Sequence, residues 1–144
     1  MISDTDKAYI AGLFDGEGSV SYKQYMRKRK GQKKAYPTWQ IRLEIAMTDE
    51  SLLIWLHEVL GVGTLTDKPR KGRRKDGTKY LMQYRWRCTF RDAYYVCCLI
   101  WPFAHTKLPK IQQVLNHYSK QSSEKSADIV NIDEYKMRKE MMFE

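Results

Sequence analysis

The chain contains no apolar run approaching the ~18 residues of a membrane span. Its N-terminus lacks the charged and then apolar pattern of a secretory signal. An intracellular protein is therefore expected, cytoplasmic or organelle-encoded. Cysteine is scarce, and Cys88, Cys97 and Cys98 are odd in number and lack metal-ligand spacing. They read as reduced core residues rather than a disulfide framework or a zinc site. His57, His105 and His117 share no ligand spacing with the cysteines or with one another. No Gly-x-Ser-x-Gly elbow occurs, and Gly61-Val-Gly63 standing alone does not make a phosphate loop. Thiol, zinc and nucleotide chemistries are thus thinly supported.

Positive charge is abundant. The 144 residues form one domain with enough chain for a hydrophobic core, and they carry a net charge of +9. From Lys23 to Arg91 there are 18 Lys and Arg against 6 Asp and Glu, a balance of +12, whereas the remainder carries −3. A basic middle beside a mildly acidic remainder points to a polyanion-binding face, with nucleic acid as the partner. A membrane surface fits less well, because the basic residues fall in strand-like segments and turns rather than on an amphipathic helix.

Ser3 to Phe14 is predicted to be a helix, with Ser3, Asp4 or Asp6 as N-cap and Ile10, Leu13 and Phe14 on its apolar side. Ala11 and Gly12 lack bulk, so that face can approach another backbone closely. Gly12 costs about 1 kcal/mol of helix propensity relative to alanine, which implies a packing reason. Ser19 to Arg27 and Thr38 to Met47 alternate with period two, and in the second Trp39, Ile41, Leu43 and Ile45 oppose Gln40, Arg42 and Glu44. The basic stretch from Arg27 to Lys34 joins them as a hairpin loop. Ser51 to Leu60 gives a second helix, opened by Thr48 or Asp49 and closed by Gly61.

The pattern then repeats. Val62 to Lys68 is a short strand, Pro69 to Gly77 a second basic loop, and Lys79 to Phe90 a strand with Tyr80, Met82, Tyr84, Trp86 and Phe90 on one face. A third helix runs from Asp92 to Trp101, where Pro102 ends it. Thr106 can cap a fourth, with Pro109 in its first turn, that continues to about Tyr118. Gln121 to Ala127 is expected as a linker and Asp128 to Met142 as a charged helix docked on or near a core of residues 1–120. The order α-β-β-α-β-β-α-α-α describes an α+β protein with helices over one face of an antiparallel sheet.

The other face of that sheet collects Ser21, Lys23, Tyr25, Arg27, Gln40, Arg42, Lys68, Gln83, Arg85 and Arg87. A polar sheet face is ordinarily just a solvated surface. Here two basic loops extend it at equivalent ends, and Arg and Gln are the usual partners of guanine and adenine edges in the major groove, which admits a two-stranded β-ribbon.

The first helix runs into Asp15-Gly16-Glu17-Gly18. Carboxylates at a helix C-terminus meet partial negative charge from the last carbonyls. Two readings are open at this point. One is a glycine-capped helix stop with solvated acids; the other is a divalent cation held by a carboxylate and an uncovered backbone carbonyl.

Ile10-Ala-Gly-Leu-Phe-Asp-Gly-Glu-Gly18 resembles the LAGLIDADG signature of homing endonucleases. The element order, the Leu60-Gly-Val-Gly63 turn and Pro102-Phe-Ala-His-Thr-Lys107 extend the resemblance over nearly the whole chain. It implies an αββαββα fold with a saddle-shaped antiparallel sheet. Position by position, Glu17 matches the acid that binds catalytic metals, and Gly16 the residue whose carbonyl assists. Asp15 matches the preceding acid, which caps or orients the helix pair and is a further metal-ligand candidate. Lys107 matches the basic residue near the scissile phosphate. Some members place a solvent-organising glutamine near the end of the second strand, where this chain has Met47-Thr48-Asp49.

The resemblance implies a site-specific, Mg²⁺-dependent DNA endonuclease. One signature supplies one acid, so cutting two strands calls for a homodimer packed through Ala11, Gly12 and Asp15. A strand of about 10 residues spans roughly 33 Å, or about 10 base pairs, so a dimer would read a nearly palindromic site of about 20 base pairs. Two alternatives are an RNA-splicing maturase that binds intron RNA, a role some members take, and a non-cleaving DNA-binding protein on the same scaffold.

Overall fold

The computed structural model describes residues 1–69 and 71–123. Helix α1 (Asp4–Glu17) leads into strands β1 (Gly18–Lys28) and β2 (Ala35–Met47), then helix α2 (Glu50–Leu60), strands β3 (Thr64–Lys68) and β4 (Gln83–Thr89), and helices α3 (Phe90–Ile100) and α4 (Leu108–Ser123). A 3-10 turn, Trp101–Phe103, separates the last two. The sheet order is β1-β2-β4-β3, and every neighbouring pair is antiparallel.

Local chemistry accounts for most element ends. The Ser3 hydroxyl accepts from the Asp6 N–H and starts α1. Asp49 does the same for α2 by accepting from Leu52, and Gly61 closes that helix in the left-handed conformation. α1 runs three residues beyond the expected stop at Phe14, to Glu17, because the Gly18 N–H reaches the Phe14 carbonyl and caps the last turn. A Cβ at Gly18 would lie 2.5 Å from the Phe14 ring and 2.7 Å from its Cα, so only glycine lets β1 leave so close to the helix.

β4 is shorter than the expected Lys79–Phe90 strand. Its pairing with β2 ends at Met47 opposite Tyr84, and with β3 at Lys68 opposite Gln83, so residues 80–82 pair with no described strand and Lys79 makes only an isolated bridge to Arg73. Met82 and Phe90 are accordingly exposed rather than part of the inner face, and Phe90 already opens α3 with φ +52°. β3 likewise starts at Thr64 rather than Val62. α4 begins at Leu108 and persists through Ser123, so the expected linker from Gln121 starts as helix. The helix expected over residues 128–142 lies outside the described residues.

Alternation puts Val20, Ile41, Leu43, Ile45, Trp86 and Cys88 on the inner face of the sheet, under Ile10 and Phe14 of α1, Leu53 and Leu56 of α2, Val96 and Ile100 of α3 and Ile111 and Val114 of α4. Trp86 is fully buried, meets Phe14 edge-on, and satisfies its indole N–H on the Val62 carbonyl at 3.0 Å. Gly63 (φ +96°) lies against that indole, where a Cβ would come within 2.5 Å of the ring nitrogen. The Gly61-Val-Gly63 turn is thus a helix cap and a seat for Trp86. The cysteines are free, and burial pushes the Cys88 thiol up to about 12 and Cys97 well above its ordinary value. Those two are packing groups, not thiolate nucleophiles. No helix among the described residues is long and apolar enough to cross a membrane.

Candidate nucleic-acid interface and active site

Directly opposed residues in a sheet share a face, so the register decides which side chains stand together. On the face away from the helices, Ser21 opposes Arg42, Lys23 opposes Gln40, Arg27 opposes Tyr36, and Tyr25 opposes Thr38. Across the middle Glu44 opposes Arg87, and at the far side Thr66 opposes Arg85 and Lys68 opposes Gln83. All ten residues expected to bind nucleic acid lie on this one face. Thr89 shares it, in phase with Gln83, Arg85 and Arg87, and so do Thr38, Thr64 and Thr66, which were not singled out from sequence although their period-two phase with the basic residues marks them.

The face has two parts. β1 and β2 pair over their whole length, but β4 covers β2 only from Arg42 to Met47. Beyond that the first hairpin continues as a two-stranded ribbon ending in the basic loop Arg29–Lys34. There Lys23, Tyr25 and Arg27 are exposed, with Tyr25 at 42%. In the four-stranded part the central side chains Arg42, Glu44, Arg85 and Arg87 are half-buried and tied together. Glu44 Oε1 lies 3.2 Å from Arg87 Nη2 and 3.3 Å from Arg85 Nε, and its Oε2 lies 4.0 Å from Arg42 Nε.

Glu17 and Gly18 form the junction of α1 and β1, at the end of the sheet where β2 finishes. Glu17 is exposed and makes no ion pair or side-chain hydrogen bond among the described residues. Gly16 before it is exposed, and a Cβ there would meet nothing within 4 Å. Asp15 is employed differently. Its Oδ2 accepts from the His105 N–H at 2.8 Å and its Oδ1 from the Lys107 N–H at 2.9 Å. Negative charge that is unfavourable at the C-terminus of α1 is thereby placed at the N-terminus of α4, where the backbone donors are unmatched. Thr106, the expected cap, is not the start of α4; the helix begins after Lys107, under the Asp15 carboxylate. With each oxygen taking a backbone N–H, Asp15 serves as a brace between α1 and the segment entering α4. The brace fixes the backbone of half-buried Lys107 to a residue two positions from Glu17.

Asp49 is engaged as well, since it accepts from the Ser51 hydroxyl at 2.7 Å and the Leu52 N–H at 3.1 Å. Those bonds hold its carboxyl below the ordinary carboxylate range. It is a helix cap first, which leaves Thr48 as the less committed of the two residues weighed for organising solvent.

Ala11 departs from expectation. It is fully buried in the core of its own chain and cannot form a contact with a second copy. The outward side of α1 carries Thr5, Ala8, Gly12 and Gly16, all exposed, at helical spacing. A Cβ at Gly12 would meet nothing within 4 Å, so no neighbour among the described residues requires glycine there.

The residues present fit a divalent cation only in part. Glu17 offers a carboxylate and Gly16 an uncovered carbonyl, the oxygen donors such an ion takes. Among the described residues no group of three or more His, Cys, Asp or Glu side chains converges to complete a shell.

The family model described as "LAGLIDADG endonuclease" matches residues 10–84. Among solved structures the chain is similar to the homing endonuclease I-CvuI, in complex with its target in the presence of calcium, with TM-score 0.58 and 20% identity over 78% of this chain and 65% of that one. It is also similar to the archaeal intron-encoded homing endonuclease I-Vdi141I complexed with DNA, with TM-score 0.56 and 17% identity over 78% and 66%. A third likeness is to the group I intron-encoded homing endonuclease I-CeuI complexed with DNA, with TM-score 0.57 and 12% identity over 88% and 60%. The chain thus spans 60–66% of the length of these three relatives. At these identities the likeness establishes a shared fold. No curated protein matches the chain.

Proposed function

Since the chain belongs to the LAGLIDADG endonuclease family, we propose that it is a site-specific homing endonuclease that cuts both strands of a long, nearly palindromic DNA target as a homodimer. One juxtaposition carries this reading. Glu17, exposed and unpaired among the described residues, ends the helix that carries the exposed small residues and directly precedes the first strand of the basic sheet.

Packing of two α1 helices through Ala8, Gly12 and Gly16 would bring two Glu17 carboxylates and two Gly16 carbonyls to one axis, which supplies the ligands that a single chain lacks. Mg²⁺ bound there would supply Lewis acidity to the attacking water and the leaving oxygen. Lys107, fixed through Asp15, offers a cation to the charge that grows on the phosphate in the transition state. The ribbon of β1 and β2 lies along the major groove, its 11 paired positions reaching about 36 Å or roughly ten base pairs per subunit. The loop cations neutralise phosphates and set register, and the strand side chains read base edges.

Incubation of the purified chain with duplex DNA spanning its own gene's insertion site is expected to produce cleavage with Mg²⁺ and none with EDTA. Binding to intron RNA without cleavage of the duplex would overturn the nuclease reading in favour of a splicing maturase.

A further inference from the structure

The sheet face carries one acid among its bases, at the centre. Glu44 sits on β2, an inner strand, and the three arginines around its carboxylate come from two strands: Arg42 from its own, Arg85 and Arg87 from β4. Its side chain is 16% exposed, and those of the arginines are 26–33% exposed. Arg85 and Arg87 both approach the same oxygen, Oε1, and the Arg85 Nε–H that faces it is shared with Thr66 Oγ1, also at 3.3 Å. A guanidinium has five N–H donors, so each arginine retains most of its donors for another molecule. Without the carboxylate, three like charges would share a half-buried patch and repel one another.

An acid there weakens attraction to phosphate, so it is a poor choice for a surface that only needs charge. It is a good choice for a surface that must hold arginines in fixed orientations, because a planar fork reads a base edge only when its plane is set beforehand. We propose that Glu44 is a positioning residue for sequence specificity: its carboxylate orients Arg85 and Arg87 toward base edges and lowers their attraction for phosphate. This rests on the sheet face being the DNA interface. Tyr25 and the loop cations lie outside this network.

The test is selection from a random duplex library of about 20 base pairs with the wild-type chain, Glu44→Gln and Glu44→Ala, alongside salt titrations of binding to the selected and to unrelated duplexes. Glu44→Gln keeps an acceptor oxygen and removes the charge. It should bind unrelated duplexes more tightly, with a steeper salt dependence by about one phosphate contact. Glu44→Ala should in addition reduce discrimination roughly tenfold at the one or two base pairs beneath Arg85 and Arg87, the scale of one bidentate base contact, and leave preferences elsewhere in the site intact. In an Arg85→Ala/Arg87→Ala background the Glu44→Ala change should no longer affect those base pairs, which separates positioning from a general loss of folding. Wild-type selectivity retained unchanged in Glu44→Ala would overturn the role of Glu44 alone. A wild-type chain that selects no sequence would overturn the DNA-interface reading and this proposal with it.

Discussion

Asp15 and Glu17 are two residues apart, alike in charge, and the structure gives them opposite surroundings. Both oxygens of Asp15 are occupied by backbone N–H groups of the α4 entry, whereas Glu17 stands exposed. Their substitutions should therefore separate cleanly. Asp15→Ala should destabilise the fold by about 1–3 kcal/mol, since it strips a helix N-terminus of its charged acceptor. Glu17→Gln should shift stability by no more than about 0.5 kcal/mol while abolishing cleavage and sparing DNA binding. Urea unfolding and cleavage assays on both variants check the division, and near wild-type cutting by Glu17→Gln would refute the assignment of the metal ligand. Asp49 offers a second test at this scale. Its folded carboxyl lies below its ordinary value because the Ser51 hydroxyl and the Leu52 N–H bond to the charged form. A depressed folded value stabilises the protein above the unfolded carboxyl's pKa, and that stabilisation is lost as pH falls through the folded one. Asp49→Asn should flatten the decline of stability below about pH 4 in acid titrations followed by circular dichroism.

At the scale of elements, alternation and capping made most of the fold legible. Gln40-Ile41-Arg42-Leu43-Glu44-Ile45 can satisfy only a strand with one wet face, and Asp49 and Gly61 bracket α2 as their chemistry requires. Most of the misses share a cause, which is that a partner distant in sequence decided the outcome. β4 begins at Gln83 because that is where its neighbouring strands can pair with it, which no property of Lys79 to Met82 announces. The segment entering α4 is held by Asp15, 92 residues before Lys107, and the helix starts after Thr106 rather than at it. Ala11 and Gly12 look equally small, yet the 3.6-residue period that buries Ile10 and Phe14 takes Ala11 inward and leaves Gly12 outside. Likewise, in the Gly61-Val-Gly63 turn the second glycine is fixed by an indole 23 residues along the chain. Gly63→Ala should cost about 1–3 kcal/mol from overpacking, with added strain at φ +96°. A lowered urea midpoint accompanied by altered Trp86 fluorescence would show it. An unchanged midpoint would mean that the turn can move away from the ring.

For the molecule as a whole, the open question is what covers the outer side of α1. Thr5, Ala8, Gly12 and Gly16 lie on the surface of the described structure, and among the described residues nothing comes within 4 Å of a Cβ built at either glycine. Gly12 therefore gives the isolated subunit no packing benefit and carries the helix-propensity penalty of about 1 kcal/mol. A glycine in that position is explained if a second α1 must come close at the two-fold axis. Gly12→Leu distinguishes the two settings. In the monomer the leucine enters empty space and restores helix propensity, so the subunit should fold at least as stably as wild type. In a dimer it would hold the helices apart or overpack the seam, at about 1–3 kcal/mol or more per subunit. The expected result is a well-folded chain that sediments as a monomer and fails to convert a supercoiled target plasmid to the linear form. A Gly12→Leu chain that still sediments as a dimer and still linearises the plasmid would show that the two active sites are brought together by some other surface.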